Sequence, residues 1–422
     1  MTTMTTALVL SRVFPLDDQM VHGIVQRLRI QVEALARVVD RIDCLFLMGA
    51  HRAREFSADQ VGAHQERMRR NWTAKLSLSI AAVVQEGRGT RWQLYAPGIL
   101  DFYSQQLVSG INNEAAVGAV RAALRTGPDL IFAHRLDAMS LLMRVSREVG
   151  RKPIFFDLDD IEHISMSRQL LRDPKWPMER VKLLQVPRLL LAEIQAIRRA
   201  QLTFVCSERD CRYLRRIACS RRIEVVVNST HFPASVRADA SERIVLFVGY
   251  MDYAPNAHAA DILVRDIWPL VRARIPDARL IIAGRHPERL RSSPATDPSV
   301  TLTGFVDDLA ELYGKTRVVC CPILQGGGTR IKIIEAAAHG RAVVATPLAA
   351  EGLTFRNGME IILRKGVQGL AAECVRLLQD PPAAARLGLA ARERALVNYE
   401  HDAVVTRVEQ LYRAGSATAE FS

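Results

Sequence analysis

From Ile244 onward, short apolar runs recur between amphipathic stretches, and that alternation leaves few folds open. A run such as Ile244-Val-Leu-Phe-Val248 or Val318-Val-Cys-Cys321 is apolar at every position, so a strand made from it must be covered on both faces. Crossover helices supply that cover, which makes the sheet parallel and the domain doubly wound. Strands are expected over residues 244–249, 279–283, 300–302, 318–322, 342–345 and 360–363, with helices over 258–275, 309–313, 331–339 and 367–378. The front half alternates more loosely, with strands expected over 7–10, 43–48, 130–133, 153–156, 202–205 and 223–227, and helices over 23–39, 138–149 and 179–200.

A chain of 422 residues exceeds what one hydrophobic core usually holds, which fits two such domains. The polar stretch 231–243, with Pro233, is the expected linker. The divisions are then 1–238 for a first Rossmann-like domain, 239–398 for a second, and 399–422 for a terminal helix. Ligands of such open sheets bind at the carboxyl ends of strands, so an interdomain cleft is the expected site.

At 49% hydrophobic and 24% charged residues the composition is globular, and no apolar run is long enough to span a membrane. The opening residues lack a basic segment followed by an apolar core, so a cytoplasmic protein is expected. The seven cysteines are odd in number and form no C-x-x-C pair, which reads as reduced, buried thiols. The spacing of Cys206, Cys211 and Cys219 does not fit a zinc knuckle. About +10 of the net charge of +12 falls on residues 1–240. An anionic membrane surface, phosphorylated small molecules or simple solvation all accommodate that excess. Nucleic acid is disfavoured, because the basic residues are not interleaved with aromatics and no helix-turn-helix or RRM pattern occurs.

The most informative segment is Gln325-Gly-Gly-Gly-Thr-Arg-Ile-Lys-Ile-Ile-Glu335, placed between a strand and a helix. Gly326, Gly327 and Gly328 let backbone approach a ligand, and the following helix start attracts anions. Thr329 is positioned to cap that helix, and Arg330 and Lys332 add positive charge. Together they describe a phosphate cradle, with a flexible strand-to-helix turn as the alternative. A dinucleotide fingerprint fails because Ile331 stands where its third glycine belongs, and a P-loop at Gly314-Lys-Thr316 fails because Leu309 replaces its first glycine. Glu335 is either a solvated helix residue or an acceptor for ligand hydroxyls.

In the front half, His134 closes a strand and is either structural or directed at a ligand. The segment Asp157-Leu-Asp159-Asp160 admits a divalent metal, a helix cap or an acceptor-side role, of which the metal is the weakest reading. The basic stretch 51–75 is either a solvated helix or an amphipathic element facing a membrane or acceptor.

Several blocks in order resemble the nucleotide-sugar half of a GT-B glycosyltransferase of the retaining family 4, or glycosyl transferases group 1, type. They are Leu246-Phe-Val-Gly-Tyr-Met-Asp-Tyr-Ala-Pro-Asn256, Leu280-Ile-Ile-Ala-Gly284, Leu302-Thr-Gly-Phe-Val-Asp307, Gly326 to Glu335, Ala342-Val-Val-Ala-Thr346 and Glu351-Gly352. The front half resembles the family through Val13-Phe-Pro15 with Gly23, Asp129-Leu-Ile-Phe-Ala-His134, and Ser207-Glu-Arg-Asp210 leading to Asn228.

The resemblance implies transfer of a sugar from a nucleoside diphosphate donor to an acceptor hydroxyl with retention, in polysaccharide or glycolipid synthesis. It implies no cofactor, a sugar or lipid-linked acceptor, and a protein that is cytoplasmic or peripheral on the inner membrane face. The implied donor-binding residues are Gly23, Gly249, Gly327, Gly328, Thr329, Arg330, Lys332 and Glu335, with His134, Arg330 and Lys332 in catalysis and Glu335 on the donor ribose. Three departures stand out. The first glutamate of the family's E-x7-E pattern falls at Gly327, the usual diphosphate cations fall near Tyr250 and Asn256, and His22 stands where a glycine is frequent. Arg330 and Lys332 are therefore expected to take over the phosphate role. A non-catalytic nucleotide-sugar-binding protein is the alternative.

Overall fold

The computed structural model describes residues 4–15, 23–83, 114–172, 177–236, 242–292 and 297–419. The chain forms two compact units, one of Met1–Val226 with Val404–Ser422 and the other of Val227–Ala403. In the first unit the strands are β1 (Thr6–Ser11), β2 (Arg41–Gly49), β3 (Leu76–Val83), β4 (Leu130–His134), β5 (Ile154–Asp159), β6 (Leu202–Val205) and β7 (Ile223–Val225). They pair in parallel in the order β3-β2-β1-β4-β5-β6-β7. The expected strands are all present, and β3 is an addition. Leu76 and Leu78 are buried while Ser79 is exposed, so β3 is a half-covered edge strand that lacks the continuous apolar run of its neighbours.

The helix expected over 179–200 is two pieces, a 3-10 segment Pro177–Gln185 and an α-helix Val186–Arg199. Pro187 lies in the first turn of the second piece, where its missing N–H costs nothing, whereas an unbroken helix would need that N–H to bond back to the preceding turn. The helix expected over 138–149 starts at Arg135 and is interrupted at Val145. The terminal helix His401–Ala419 carries Tyr412, buried edge-on against Phe155 (4.7 Å) and Phe204 (5.5 Å), with its hydroxyl donating to Gln31 at 2.7 Å.

The second unit contains β8 (Ile244–Val248), β9 (Arg279–Ala283), β10 (Val300–Gly304), β11 (Val318–Cys321), β12 (Ala342–Ala345) and β13 (Ile362–Leu363), all parallel, in the order β10-β9-β8-β11-β12-β13. The helix expected over 258–275 begins earlier, at Ala254, with Pro255 in its first turn. It passes through a π turn, Leu263–Ile267, before the segment Trp268–Arg272. Pro269 lacks the N–H that a regular helix needs there, which accounts for the wider turn.

The second unit already begins at Val227, ahead of the expected linker. Phe232 packs against the core of the second unit, the Arg392 guanidinium lies 5.5 Å over its ring, and Arg392 Nη2 donates to the Pro233 carbonyl at 2.6 Å. Residues 237–241 of that stretch lie outside the described residues. Six cysteines are buried, but Cys219 is exposed, in a left-handed conformation (φ 50°) at the end of its helix. Among the described residues no helix is long and apolar enough to cross a membrane.

One close approach in the second unit can be tested directly. The helix Pro381–Tyr399 crosses the turn at Gly340 so closely that a Cβ on Gly388 would sit 2.1 Å from the Gly340 carbonyl oxygen. Gly388→Ala is expected to push the helix outward and cost about 1–3 kcal/mol, seen as a lower urea midpoint at constant slope. An unchanged midpoint would show that the helix does not rest on this turn.

Candidate functional site

In the second unit β8 and β11 are neighbours although β9 and β10 intervene in sequence, so the connections leave them in opposite directions and open a crevice at their carboxyl ends. Gly249 follows β8 there, and the triglycine segment follows β11. Gly284, at φ +141°, touches Gly249: a Cβ on Gly284 would lie 1.7 Å from the Gly249 carbonyl oxygen. A Cβ on Gly249 would in turn meet the Asn256 side chain at 3.0 Å and Lys332 Nζ at 3.1 Å. These glycines leave the volume that the Lys332 ammonium fills.

Lys332 reaches that place from the helix Ile331–Ala338, and it is buried. Its Nζ donates to Asn256 Oδ1 at 2.7 Å and lies 4.4 Å from the centre of the Phe247 ring. Asn256 is itself held by donation from Nδ2 to the Tyr250 carbonyl at 3.0 Å. Burial is the main cause that lowers the Lys332 pKa to about 8; Cys321 opposes it, Arg330 adds a smaller repulsion, and Glu335 a weaker pull. The ammonium therefore sits in a buried place with a neutral hydrogen-bond partner, a position that an anion would relieve.

Arg330 is arranged differently. Its Nη atoms donate to the carbonyls of Gln325 (3.1 Å), Gly328 (2.9 Å) and Gly327, so the guanidinium folds the loop around itself, and its Nε is buried without a partner. Gly326 (φ +89°) and Gly328 (φ +66°) make that loop possible. Thr329 does not cap the helix as expected. The cap position is Arg330, no side chain caps it, and the Thr329 hydroxyl accepts from Asn228 Nδ2 at 2.8 Å. The helix starts at Ile331 as expected, but the loop closes on Arg330, which takes the cap position from Thr329.

Glu335 is buried, which removes the solvated-residue alternative. Tyr313 is buried with its hydroxyl unpartnered, and burial together with the Glu335 charge holds its pKa well above the usual range. Its ring stacks on His339 at 4.5 Å.

The first unit has the same kind of crevice between β1 and β4. His134 ends β4, is buried, and pairs through Nδ1 with Ser11 Oγ at 2.8 Å. Its Nε2 is buried without a partner. Burial, then Arg135 and Arg27, hold its pKa well below the usual histidine range. Arg135 (φ +71°) and Asp159 (φ +53°) adopt left-handed conformations at the ends of the adjacent strands β4 and β5, strain of a kind that collects at functional sites. Arg135 lies 3.8 Å from Glu162, whose pKa burial raises to about 8 despite Arg135. Asp157 is occupied by Arg27, and among the described residues no three His, Cys, Asp or Glu side chains gather as a metal site. Gly23 opens the helix Gly23–Ala36, and His22 lies outside the described residues. Within 51–75, the helix Ala58–Asn71 is closed by a capping box from Ser57 and Gln60 and buries His64 and Met68, so it is neither wholly solvated nor free to present every face.

Residues 242–380 match the family described as glycosyl transferases group 1. This segment is similar to that family. A phosphatidyl-myo-inositol mannosyltransferase of Mycolicibacterium smegmatis is 31% identical over 181 residues, which cover 41% of this chain and 46% of that protein. The match thus spans about half the length of the curated relative. Sucrose-phosphate synthase from Thermosynechococcus elongatus aligns over 98% of this chain and 100% of its own, at TM-score 0.71 and 20% identity. Anabaena HepE, solved with UDP and glucose, aligns over 97% and 100%, at TM-score 0.65 and 15% identity. The fold is therefore the GT-B class, carried by two parallel α/β units.

Within the glycosyl transferases group 1 segment, the structure brings together Gly249, Lys332 and Asn256, and places Arg330 on the carbonyls of its own loop. Asn256 and Gly284 escaped the sequence reading as partners of that set. Asn256 stands 76 positions from Lys332, and its neutral side chain carries no signal that it holds an ammonium. In the first unit the missed residue is Ser11, 123 positions from the histidine it holds.

Proposed function

We propose that the chain transfers a sugar from a nucleoside diphosphate sugar to an acceptor hydroxyl with retention. The observation that carries the reading is the buried Lys332 ammonium on a neutral amide, beside two glycines in contact and a helix start without a side-chain cap. A departing nucleoside diphosphate needs cations and amide donors aimed at its growing charge, and donors fixed in a dry site are worth most. Lys332 supplies the cation, exchanging Asn256 for a phosphate oxygen. Arg330 keeps Gly327, Gly328 and Thr329 in the shape that receives the diphosphate. Glu335 accepts from ribose hydroxyls, and Gly23 and His134 stand at the ligand-binding edge of their own sheet.

HepE was solved in complex with UDP and glucose, which makes uridine nucleotides the first donors to try. The mannosyltransferase relative acts on a phosphatidyl-inositol lipid by its name. That supports a lipid-linked acceptor for this chain and peripheral contact between its basic front half and the inner membrane face, in polysaccharide or glycolipid synthesis.

The test is thermal unfolding against a panel of nucleoside diphosphates and nucleotide sugars, followed by assay of free sugar from whichever binds. One nucleotide series should raise the apparent stability, by about 2.7 kcal/mol at a hundredfold excess over its Kd, and Glu335→Ala should lose the shift. No shift with any nucleotide would overturn the reading. Gly327, at the place of the family's first glutamate, favours a second reading: binding without sugar release or transfer would make the protein a nucleotide-sugar binder rather than an enzyme.

A further inference from the structure

We propose that Ser11 is a positioning residue that fixes His134 in the Nε2–H tautomer, so that this histidine acts on a ligand oxygen as a hydrogen-bond donor and not as a base. The functional half of the proposal rests on the sugar-transfer reading. The tautomer does not.

Ser11 and His134 sit side by side at the ends of β1 and β4, one step beyond the register pair Leu10 and Ala133. Ser11 is fully buried, and its Oγ has two partners, the Val13 backbone N–H at 3.0 Å and His134 Nδ1 at 2.8 Å. The Val13 N–H is a donor under all conditions, so the Ser11 oxygen accepts there. The remaining question is which of Ser11 and His134 supplies the hydrogen between them.

If His134 donates from Nδ1, the Ser11 hydroxyl hydrogen has no acceptor and His134 Nε2 is an acceptor without a donor. Two polar functions are then buried and unmet. If Ser11 donates to Nδ1, the hydroxyl is satisfied in both roles, and one unmet function is left, the Nε2–H. Each buried unmet polar group costs about 1–3 kcal/mol, so the second arrangement prevails. The doubly protonated ring is excluded by its surroundings. Arg135 follows it in the chain, Arg27 approaches from the helix Gly23–Ala36, and the neighbouring carboxylate in register on β5, Asp157, is held by Arg27. The ring is further confined by Phe132, stacked at 6.3 Å.

The buried Nε2–H that results is a donor in need of an acceptor, at the carboxyl edge of the sheet where ligands of this fold bind. A hydroxyl or phosphate oxygen satisfies it. A base at this position is ruled out because the only free nitrogen already carries its proton.

The test is a long-range proton–nitrogen spectrum of the full chain labelled with 15N-histidine, with the His134 signals identified by their loss in His134→Asn. The expected pattern is the Nε2–H tautomer, unchanged between pH 7.5 and 5.5. Ser11→Thr, which keeps the hydroxyl, should retain it, and Ser11→Ala should yield a mixture of tautomers. An Nδ1–H pattern, or an imidazolium at pH 5.5, would overturn the proposal on the unmutated protein alone, whether or not the variants fold. Once a donor is known, Ser11→Ala should lower kcat about tenfold with the donor KM little changed, the equivalent of one hydrogen bond, and Ser11→Thr should restore it. A normal kcat in Ser11→Ala would overturn the functional half. If no nucleotide sugar is turned over, the sugar-transfer reading fails while the spectrum still decides the tautomer.

Discussion

Replacing Lys332 by methionine is expected to stabilise the ligand-free protein and, in the same variant, to remove nucleotide binding. Both effects follow from one circumstance, an ammonium buried against Phe247 and Asn256. A fall in its pKa from 10.5 to about 8 means that the folded state holds the charge at a cost of about 3 kcal/mol. Between those two values the unfolded chain keeps a proton that the folded chain has released, so this lysine makes stability rise as pH increases from about 8 to 10.5. Below about 8 its penalty is constant. Methionine keeps the length and apolar stem without the charge, so Lys332→Met should melt higher at pH 7.5 and lose the rise that the unmutated protein shows between pH 7.5 and 9.5. Nucleoside diphosphate should stabilise the unmutated protein but not the variant, because a charge-assisted hydrogen bond worth at least about 2 kcal/mol is gone.

The partner of that lysine offers the reverse experiment. Asn256 Oδ1 is 2.7 Å from Nζ, so a lysine placed at 256 brings an ammonium to nearly the same spot from the opposite wall. The double variant Asn256→Lys, Lys332→Met should recover nucleotide binding that Lys332→Met lacks. A Lys332→Met protein that is less stable yet binds normally would make the lysine a structural residue, and the phosphate would have to be held elsewhere.

The strands of both sheets were legible because parallel strands covered on both faces leave an unmistakable trace, as in Val318-Val-Cys-Cys321 and Ile131-Phe-Ala133. β3 carries no such continuous apolar run and was missed, although Leu76-Ser-Leu-Ser-Ile80 alternates as a strand with one covered face does. Pro187 divided a helix whose apolar period continues across it, a reminder that the period alone does not report a break in the hydrogen-bond ladder. The glycine loop was legible as a loop because positive φ at Gly326 and Gly328 demands that residue. What the loop does with its charges was not. Arg330 and Lys332 read alike as cations near an anion site, yet one guanidinium turns onto three carbonyls of its own loop while the other cation stands on a neutral amide. That difference is set by backbone direction through the loop and by an asparagine on another helix, neither of which a local pattern encodes. The Ser11–His134 pair is hidden for the same reason, since it exists only once β1 and β4 lie together.

Arg27→Met is expected to bring the first unit close to unfolding. Arg27 and Asp157 are both wholly buried, joined by two guanidinium nitrogens, Nη2 at 2.6 Å and Nε at 2.8 Å, and Arg27 Nη1 also donates to the Val226 carbonyl at 2.6 Å. Burial works to discharge the guanidinium, and the Asp157 and Asp159 carboxylates outweigh it and hold the charge firmly. The pair thus pins the helix Gly23–Ala36 to β5 and to the chain leaving β7. Removing the arginine leaves a buried carboxylate uncompensated, at about 3–5 kcal/mol, a large share of the 5–15 kcal/mol that a domain usually has. Replacing both partners together is much milder, since the desolvation of both charges disappears with their attraction. Urea unfolding should therefore show Arg27→Met far below the unmutated protein and the double variant Arg27→Met, Asp157→Leu between them. The deficit of the single variant should also shrink as pH falls, because the unpaired Asp157 carboxyl, with its pKa raised by burial, takes up a proton in the folded state before it would in the unfolded one. A single variant no less stable than the double, or a deficit that grows towards low pH, would show that Asp157 does not depend on Arg27 for its charge.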